Sequence, residues 1–287
     1  MGEPDYSRAK IMSYLIVMLI IIFVVLAYLK YFERFNYRII FFDIGQGDSA
    51  LIRFENGQKM LVDCGPDRSV LNKLGRYLPF YDRTIDYLVV THFDLDHYGG
   101  CSEVLERYRV KNIFINSDNK SGDPYFDKWA VRQKEEQANV KIVTSSFDFE
   151  IAGAQIAVLS PDLNLPSSII SGNNHSIVFR LVYNTTTVFF SADMEEPVEN
   201  DLINYWCETP QDGDFCHNLK SEYLKVGHHG SDSSTGVDFL TAISPTKAII
   251  SVGKNRFGHP SLRVLRRIER IGAEIWRTDE LNDIIIR

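Results

Sequence analysis

Net positive charge is the first thing this sequence lacks. Its 31 Lys and Arg stand against 38 Asp and Glu, a formal charge of -7. Coating nucleic acid by bulk charge is therefore excluded, and any anionic substrate must meet a local basic patch. Cysteine is scarce too, four in 287 residues, which excludes a small disulfide scaffold. Low-complexity runs, a collagen-like repeat and a disordered acidic tail are all missing. What remains, 45% hydrophobic, 24% charged and 12% aromatic, is the composition of a globular chain with one large domain or two small ones.

Charge is also missing locally. Residues 11–29, IMSYLIVMLIIIFVVLAYL, are 19 residues without a charged side chain. As a helix this run spans roughly 28 Å, close to the hydrocarbon thickness of a bilayer. Tyr14, Tyr28 and Tyr31 lie near its ends, where aromatic rings favour the membrane interface. A cleaved signal peptide usually has an apolar run of about 7–15 residues and a small-x-small site. Here the run is longer and continues as YLKYFERF. The expectation, in preference to a buried core helix, is a single-pass anchor at 11–29 between an N-terminal tail, 1–10, and a juxtamembrane linker, 30–36. Arg8 and Lys10 before it, against Lys30, Arg34 and Arg38 after it, leave the orientation open.

Cys64 and Cys101 lie in apolar or motif surroundings and read as buried thiols. Cys207 and Cys216 bracket the polar loop ETPQDGDF. They are read either as a disulfide, which would imply an oxidising exterior, or as two unpaired loop cysteines.

Beyond the anchor, apolar strand-like runs recur at 38–42, 50–54, 60–64, 87–92, 112–116, 141–144, 156–160, 176–183, 187–193, 223–228, 248–253 and 274–278. Helical patterns fall at roughly 68–79, 99–107, 125–138, 195–206, 234–243 and 261–271. Strand clusters separated by helices predict two packed sheets covered by helices, with the polar chemistry along one sheet edge. Six of the seven histidines lie at or beside strand ends: His92, His97, His175, His228, His229 and His259.

The densest cluster is Thr91-His92-Phe93-Asp94-Leu95-Asp96-His97-Tyr98-Gly99-Gly100, entered from the apolar run YLVV. Two imidazoles and two carboxylates on one turn suit a divalent metal, and the glycine pair is read as a sharp turn into the next helix. Asp193 ends another apolar strand in FFSAD, a carboxylate suited to bridging two metals. The pair His228-His229 ends a third in LKVGHHGS, and GHP at 258–260 follows a fourth. Each fragment alone is weak; in this order they reinforce one another.

The HxDxDH turn followed by GG, with AD, HHGS and GHP downstream, resembles the metallo-β-lactamase fold. More narrowly the chain is similar to the soluble hydrolase domain of ComEC-type competence proteins, which serve DNA uptake. FDIGQGDS at 42–49, VDCG at 62–65 and RTDE at 277–280 extend the likeness from about residue 37 to the C-terminus. The resemblance implies an α/β fold, an αββα sandwich with metals at one edge, here preceded by a single transmembrane helix. It also implies two divalent ions, Zn²⁺ or Mn²⁺. His92 and Asp94 would hold one ion, Asp96 and His97 the other, Asp193 would bridge and His259 would complete the second. One of His228 and His229 would ligate or protonate the leaving group. Asp94 stands where many metallo-β-lactamases have histidine, a harder ligand that admits Mn²⁺ beside Zn²⁺. His175 departs from the ComEC-like pattern and is read either as a third histidine for the first metal or as a hydrogen-bonding neighbour. The family's polytopic channel is missing, so a relative of this kind would be a tethered hydrolase alone, with its domain on the outer face favoured.

Between 247 and 270 seven basic residues, Lys247, Lys254, Arg256, Arg263, Arg266, Arg267 and Arg270, meet one acid, Glu269, for a local charge of +6. Lys254 and Arg256, just before His259, and Lys225 are the candidate phosphate-binding residues. The LRVLRRIER arginines read for the most part as a solvated helix face. The leading expectation is a membrane-tethered phosphodiesterase or nuclease acting on DNA by in-line attack of a metal-activated water, with Asp96, His228 and His229 catalytic. The alternatives are hydrolysis of a smaller ester (a cyclic nucleotide, a phosphocholine substituent or a lactone) and a metal-binding module without catalysis. No aromatic-plus-basic track for stacking bases is obvious. A groove lined by Arg and Lys would favour a polymer, and a closed pocket a small ester.

Overall fold

A computed structural model describes residues 6–33, 37–162, 164–166, 169–207, 216 and 218–287. Residues 1–5 of the expected tail, 34–36 of the linker and the loop at 208–215 lie outside the described residues, as does His217. The uncharged run forms α1 (Tyr6–Glu33), a 28-residue helix. Its apolar side chains from Ile11 to Leu26 are exposed, as an all-round apolar helix must be when nothing covers it. Among the described residues, which leave out the side chains at 6–9, 27 and 29–33, no helix is long and apolar enough to cross a membrane.

Two seven-stranded sheets follow. The first contains β1 (Arg38–Phe41), β2 (Ala50–Arg53), β3 (Lys59–Val62), β4 (Thr84–Val90), β5 (Arg109–Ile115) and β6 (Asn139–Ile142) in sequential order, with β14 (Ile284–Ile286) on the outer side of β1. The second contains β7 (Asp148–Ile151), β8 (Ala154–Ser160), β9 (Val178–Tyr183), β10 (Thr186–Phe190), β11 (Tyr223–Lys225), β12 (Lys247–Ile250) and β13 (Glu274–Arg277), also sequential. Helices α2 (Ser69–Tyr77), α3 (Leu95–Tyr98), α4 (Cys101–Arg107) and α5 (Pro124–Glu136) belong to the first half. The second half has α6 (Glu196–Trp206), α7 (Val237–Ile243) and α8 (Leu262–Arg270), and the short α9 (Thr278–Leu281) leads back to β14.

Strand alternation sorts the core into layers. Ile39 and Phe41 of β1 face the space between the sheets, where Phe41 stacks on Phe190 of β10 at 5.5 Å and Phe190 on Phe179 of β9 at 4.5 Å. Ile40 points the other way, into a cluster with Leu74 of α2 and Val104 of α4. The outer face of the second sheet packs Phe189 and Ile250 against Leu202, Phe239 and Val264 from α6, α7 and α8. The order helix, sheet, sheet, helix is therefore set by which parity of each strand is apolar, with each buried side chain contributing about 1.5–3 kcal/mol.

Two expectations are corrected here. Cys64 and Cys101 are not free thiols but a disulfide with Cα atoms 5.1 Å apart, and Cys207 and Cys216 are also bonded, so among the described residues no free cysteine remains. The glycine pair does not make a sharp turn, since Gly99 (φ -54) and Gly100 (φ -83) have ordinary helical φ. It makes room instead. A Cβ on Gly99 would lie 2.3 Å from the Pro66 carbonyl oxygen, and one on Gly100 2.3 Å from that of Asp67. The α3–α4 junction thus lies directly on the 64–67 backbone, which brings Cys101 against Cys64.

The parallel pairs β3–β4 and β10–β11–β12 end on the same edge of the sandwich. There the loops that follow β3, β4, β10, β11 and β12 converge.

Candidate metal centre

Three imidazoles form the floor of this edge, and each commits Nδ1 to a protein partner. His92 Nδ1 lies 3.1 Å from Thr91 Oγ1, whose hydroxyl donates to Asp63 Oδ2 at 2.7 Å. His97 Nδ1 lies 2.8 Å from Asp63 Oδ2. His229 Nδ1 lies 2.8 Å from the Ser251 carbonyl oxygen, an acceptor only, so that nitrogen donates. These contacts fix the ring orientations and leave Nε2 of all three histidines as the free lone pair. Among the described residues the three Nε2 atoms, with Oδ1 of Asp48 and Asp193, are buried and have no hydrogen-bond partner. Orphaned polar atoms cost about 1–3 kcal/mol each, so five at one place mark a site built for something else to satisfy.

Their spacing fits a cation. One ligand atom each from His92, His97 and Asp193 lies within 4.8 Å of the others. The same holds for Asp96, His97 and His229, for Asp48, Asp193 and His229, and for Asp48, Asp63 and His97. The first and third sets share Asp193, and a carboxylate, with two oxygens, could serve two adjoining ions where a single imidazole nitrogen could not. His97 Nε2 and His229 Nε2 each approach a carboxylate at 3.2 Å, on Asp193 and Asp96 respectively, without forming an aligned hydrogen bond.

The backbone that presents these groups is unusual in the second half. Ala192 (φ 47), His228 (φ 46) and His229 (φ 53) all sit in the left-handed region. Such residues cost of order 1–3 kcal/mol each and persist only where the surroundings hold them. Here His228 N donates to Ala192 O at 3.1 Å, Ser231 N to His228 O at 2.8 Å, and Ser234 Oγ to Gly227 O at 2.8 Å.

Negative charge dominates the electrostatics. Burial opposes a charged His97, but Asp193, Asp48 and Asp63 outweigh it and hold its pKa well above the usual imidazole range. Burial likewise opposes charge on His229, and Asp193 and Asp48 prevail, pushing it up to about 9. His92 goes the other way, down to about 4, through burial and its neighbour His97. For Asp193 burial is overcome by His97 and His229, so its pKa falls well below the usual range. Asp48 is lowered as well, with Lys225 the strongest opponent of its burial. A concentration of carboxylate charge around free imidazole nitrogens is what a divalent ion would neutralise.

Residues 42–254 match the metallo-beta-lactamase superfamily. This chain belongs to that superfamily. Over 263 residues it is 31% identical to ComE operon protein 3 of Bacillus subtilis, which covers 85% of this chain and 32% of that protein. It is 29% identical over 245 residues to competence protein ComA of Neisseria gonorrhoeae, 83% of this chain and 30% of the relative. The chain thus spans about a third of the length of these curated relatives. Among solved structures, the metallo-beta-lactamase fold protein YhfI from Bacillus subtilis superposes with a TM-score of 0.55 at 12% identity, covering 88% of this chain and 99% of that one. Two sheets flanked by helices are the fold expected from the sequence.

Against this superfamily fold, the sequence candidates divide. His92, Asp96, His97, Asp193 and His229 meet at the floor. Asp94 lies at the mouth, 45% exposed, with Oδ1 held by Lys120 Nζ at 2.6 Å and Oδ2 3.8 Å from His92 Nε2. His228 is on the lip, 25% exposed, 3.9 Å from Asp193 and 3.4 Å from Glu195. His259 lies beyond it, its ring 5.5 Å from that of His228 and outside every close ligand set among the described residues. Asn255 braces that loop, its Oδ1 accepting from the backbone N–H of Phe257, Gly258 and His259. Lys254 and Arg256 are exposed on the same loop.

One placement decides between two open readings, and another departs from its expectation. His175 does not turn toward the cluster: Nδ1 lies 2.5 Å from Asp118 and Nε2 3.1 Å from Ser117, so both ring nitrogens are engaged elsewhere and the hydrogen-bonding alternative is the one observed. Lys225 does not reach a surface where substrate could lie. It is 3% exposed beneath the site, ion-paired with Asp48 and donating to the Ala192 carbonyl. Asp48 and Asp63 escaped selection as site residues. Each sits inside a motif that signalled it, GQGDS and VDCG, as a carboxylate between apolar runs, but their partners come from distant segments.

Proposed function

We propose that the chain is a membrane-tethered, metal-dependent phosphodiesterase that cleaves DNA, using two divalent cations, Zn²⁺ or Mn²⁺. The observation that carries the reading is the convergence of three partnerless Nε2 atoms and two partnerless carboxylate oxygens on one buried edge. His92, His97 and His229 with Asp96 and Asp193 would hold the ions; imidazole suits zinc and carboxylate suits manganese. Bound there, the ions supply Lewis acidity toward a phosphoryl oxygen and toward water. Asp63 keeps His92, through Thr91, and His97 in the ligating orientation. His228, half out of the floor beside Glu195 and with Asn173 Nδ2 3.3 Å from its Nδ1, is placed to give a proton to the leaving oxygen.

The polymer reading draws on the loop before His259. Phe257 is 64% exposed, lies 5.8 Å from the His259 ring at an interplanar angle of 24°, and has the Arg256 guanidinium 5.8 Å from its own centroid. An exposed ring beside a guanidinium and next to the metal edge suits a nucleobase near a scissile phosphate. The cavity behind the cluster, lined by Asp48, Asp63, Thr91 and Lys225 among others, measures ≈ 20 Å³, room for a water and not for an ester. The likeness to a relative named as a competence protein supports DNA as the substrate class. The exposed apolar surface of α1 supports the tether, and two disulfides support an oxidising exterior.

The test uses the full chain in detergent with Mn²⁺ or Zn²⁺, offered single-stranded DNA, double-stranded DNA and bis-p-nitrophenyl phosphate. Cleavage of DNA is expected; hydrolysis of the small diester with DNA left intact would overturn the nuclease reading. Partition into liposomes that survives high salt and carbonate is the expected signature of the tether.

A further inference from the structure

Helix α8 follows the GHP loop directly and carries the sequence LRVLRRIER. Val264 and Ile268 are buried in the core, which forces the arginines outward. Four of them, Arg263, Arg266, Arg267 and Arg270, line one open cavity of ≈ 340 Å³ with Val237 of α7. Four like charges around one hollow repel one another, and only two are answered. Arg263 pairs with Asp232 at 3.0 Å and Arg267 with Glu196 at 3.1 Å. Among the described residues no carboxylate pairs with Arg266 or Arg270. The four side chains share this solvent-facing hollow, so their charges are concentrated at one place on the surface.

The helix that bears the concavity is tied at its start to the segment that follows the metal-edge histidines. Asp232 belongs to the segment after the histidine pair, Ser261 N donates to the Gly230 carbonyl at 2.9 Å, and Ser261 Oγ, the cap of α8, also approaches Asp232 at 3.4 Å. Between Arg263 and Arg270 the helix is about 10 Å long, enough for its arginines to meet successive phosphates of one strand.

We propose that this arginine hollow is an exosite for the phosphodiester backbone of single-stranded DNA, holding phosphates several nucleotides from the bond at the metal edge. The proposal rests on the DNA reading above. It turns a single-bond hydrolase into an enzyme that prefers long strands. An anionic membrane surface is the competing occupant; attachment of the hollow to the metal edge favours the substrate.

The full chain in detergent, with EDTA present to prevent cleavage, is titrated with a labelled oligothymidylate at several salt concentrations. Because a neutralised phosphate on single strands contributes about 0.7 to the log–log salt slope, Arg266→Gln/Arg270→Gln is expected to reduce the slope by about 1.4 and weaken binding about 25-fold at 0.1 M salt. Both side chains are exposed, so folding should persist, and far-UV circular dichroism checks it. Lys128→Gln, on α5, serves as the control with an unchanged slope. An unaltered slope in the double variant overturns the exosite, as does arginine-dependent binding to phosphatidylserine vesicles with no arginine-dependent binding to DNA. The two readings fail separately. If the slope falls as expected but the wild type never cuts DNA with metal, the exosite stands and the nuclease does not. If DNA is cut and the double variant keeps both slope and strand-length preference, the nuclease stands and the exosite does not.

Discussion

At the floor of the site, His92, His97 and His229 are almost wholly buried, and each ring is pinned through Nδ1 with Nε2 left open. At the rim, His228, His259 and Asp94 are partly exposed, and Lys254, Arg256 and Phe257 more so; the contacts there are an Asn173 amide, a half-exposed lysine paired with Asp94 and a stacked ring. Both sets are drawn from the same kinds of residue, yet only the first is rigid enough to hold an ion without rearranging. The rim pays less ordering entropy and answers the substrate instead. Ion affinity should therefore follow the floor, and substrate affinity the rim.

The largest effect expected from breaking that division is at the floor. Asp193→Ala should abolish retention of metal, read by elemental analysis of the purified chain, and lower turnover by about 10³-fold or more; retained metal would mean that the shared carboxylate is misassigned. Asp96→Ala should remove all activity as well.

Next in size is a pH effect under the rim. Glu199 of α6 is 1% exposed and accepts from Thr235 N at 2.5 Å and Gly236 N at 2.8 Å, anchoring the segment after the histidine pair. Burial pushes its pKa up from 4.5 to about 7 despite those two donors. The native state therefore keeps a proton that the unfolded chain loses between those values. The stability this proton contributes is complete below pH 4.5 and disappears as pH rises through 7. Glu199→Gln cannot titrate, so the wild type should lose about 3 kcal/mol relative to it between pH 4.5 and 8. Denaturant midpoints of both proteins across that range give the comparison; parallel curves would refute it.

A smaller loss sharpens the floor itself. Asp63 accepts from Thr91 N, Thr91 Oγ1 and His97, so an amide in place of its carboxylate would turn one donor-facing oxygen into a donor. Metal affinity in Asp63→Asn should fall about 10–100-fold, seen in a competition titration with a chromogenic chelator. The smallest effects belong to the rim. Phe257→Ala and Arg256→Gln should raise KM for DNA by about 5–10-fold, about 1–1.4 kcal/mol and the low end of base stacking, while kcat and bound metal stay nearly constant. A fall in metal content in either variant would erase the distinction between floor and rim.

Most elements were legible in the sequence because their apolar periods are strong. The strand runs at 38–42, 112–116 and 156–160 and the helical patterns at 125–138 and 261–271 all correspond to elements shifted by a few residues at most. β7 was missed because DFEI, on the sheet edge beside β8 alone, carries charges outward and has little apolar signature. β14 was missed because three isoleucines near the C-terminus gain meaning only by pairing with β1, Ile286 against Ile39. Preceding it, Asp283 accepts from Lys73, Tyr77 and the Asp43 backbone, contacts that no local pattern foretells.

The sequence by itself determined the sandwich and the edge where chemistry belongs, since strand and helix periods and the residues at strand ends are local properties of the chain. Only the tertiary structure decided which of those residues do related work. It joined Cys64 to Cys101, gave both nitrogens of His175 to Asp118 and Ser117, buried Lys225 on Asp48 and made Asp63 the anchor of His97. Each of these is a pairing between distant segments. An imidazole or carboxylate looks the same along the chain whether its partner will be a metal, a lysine or another side chain, and packing alone settles which one arrives.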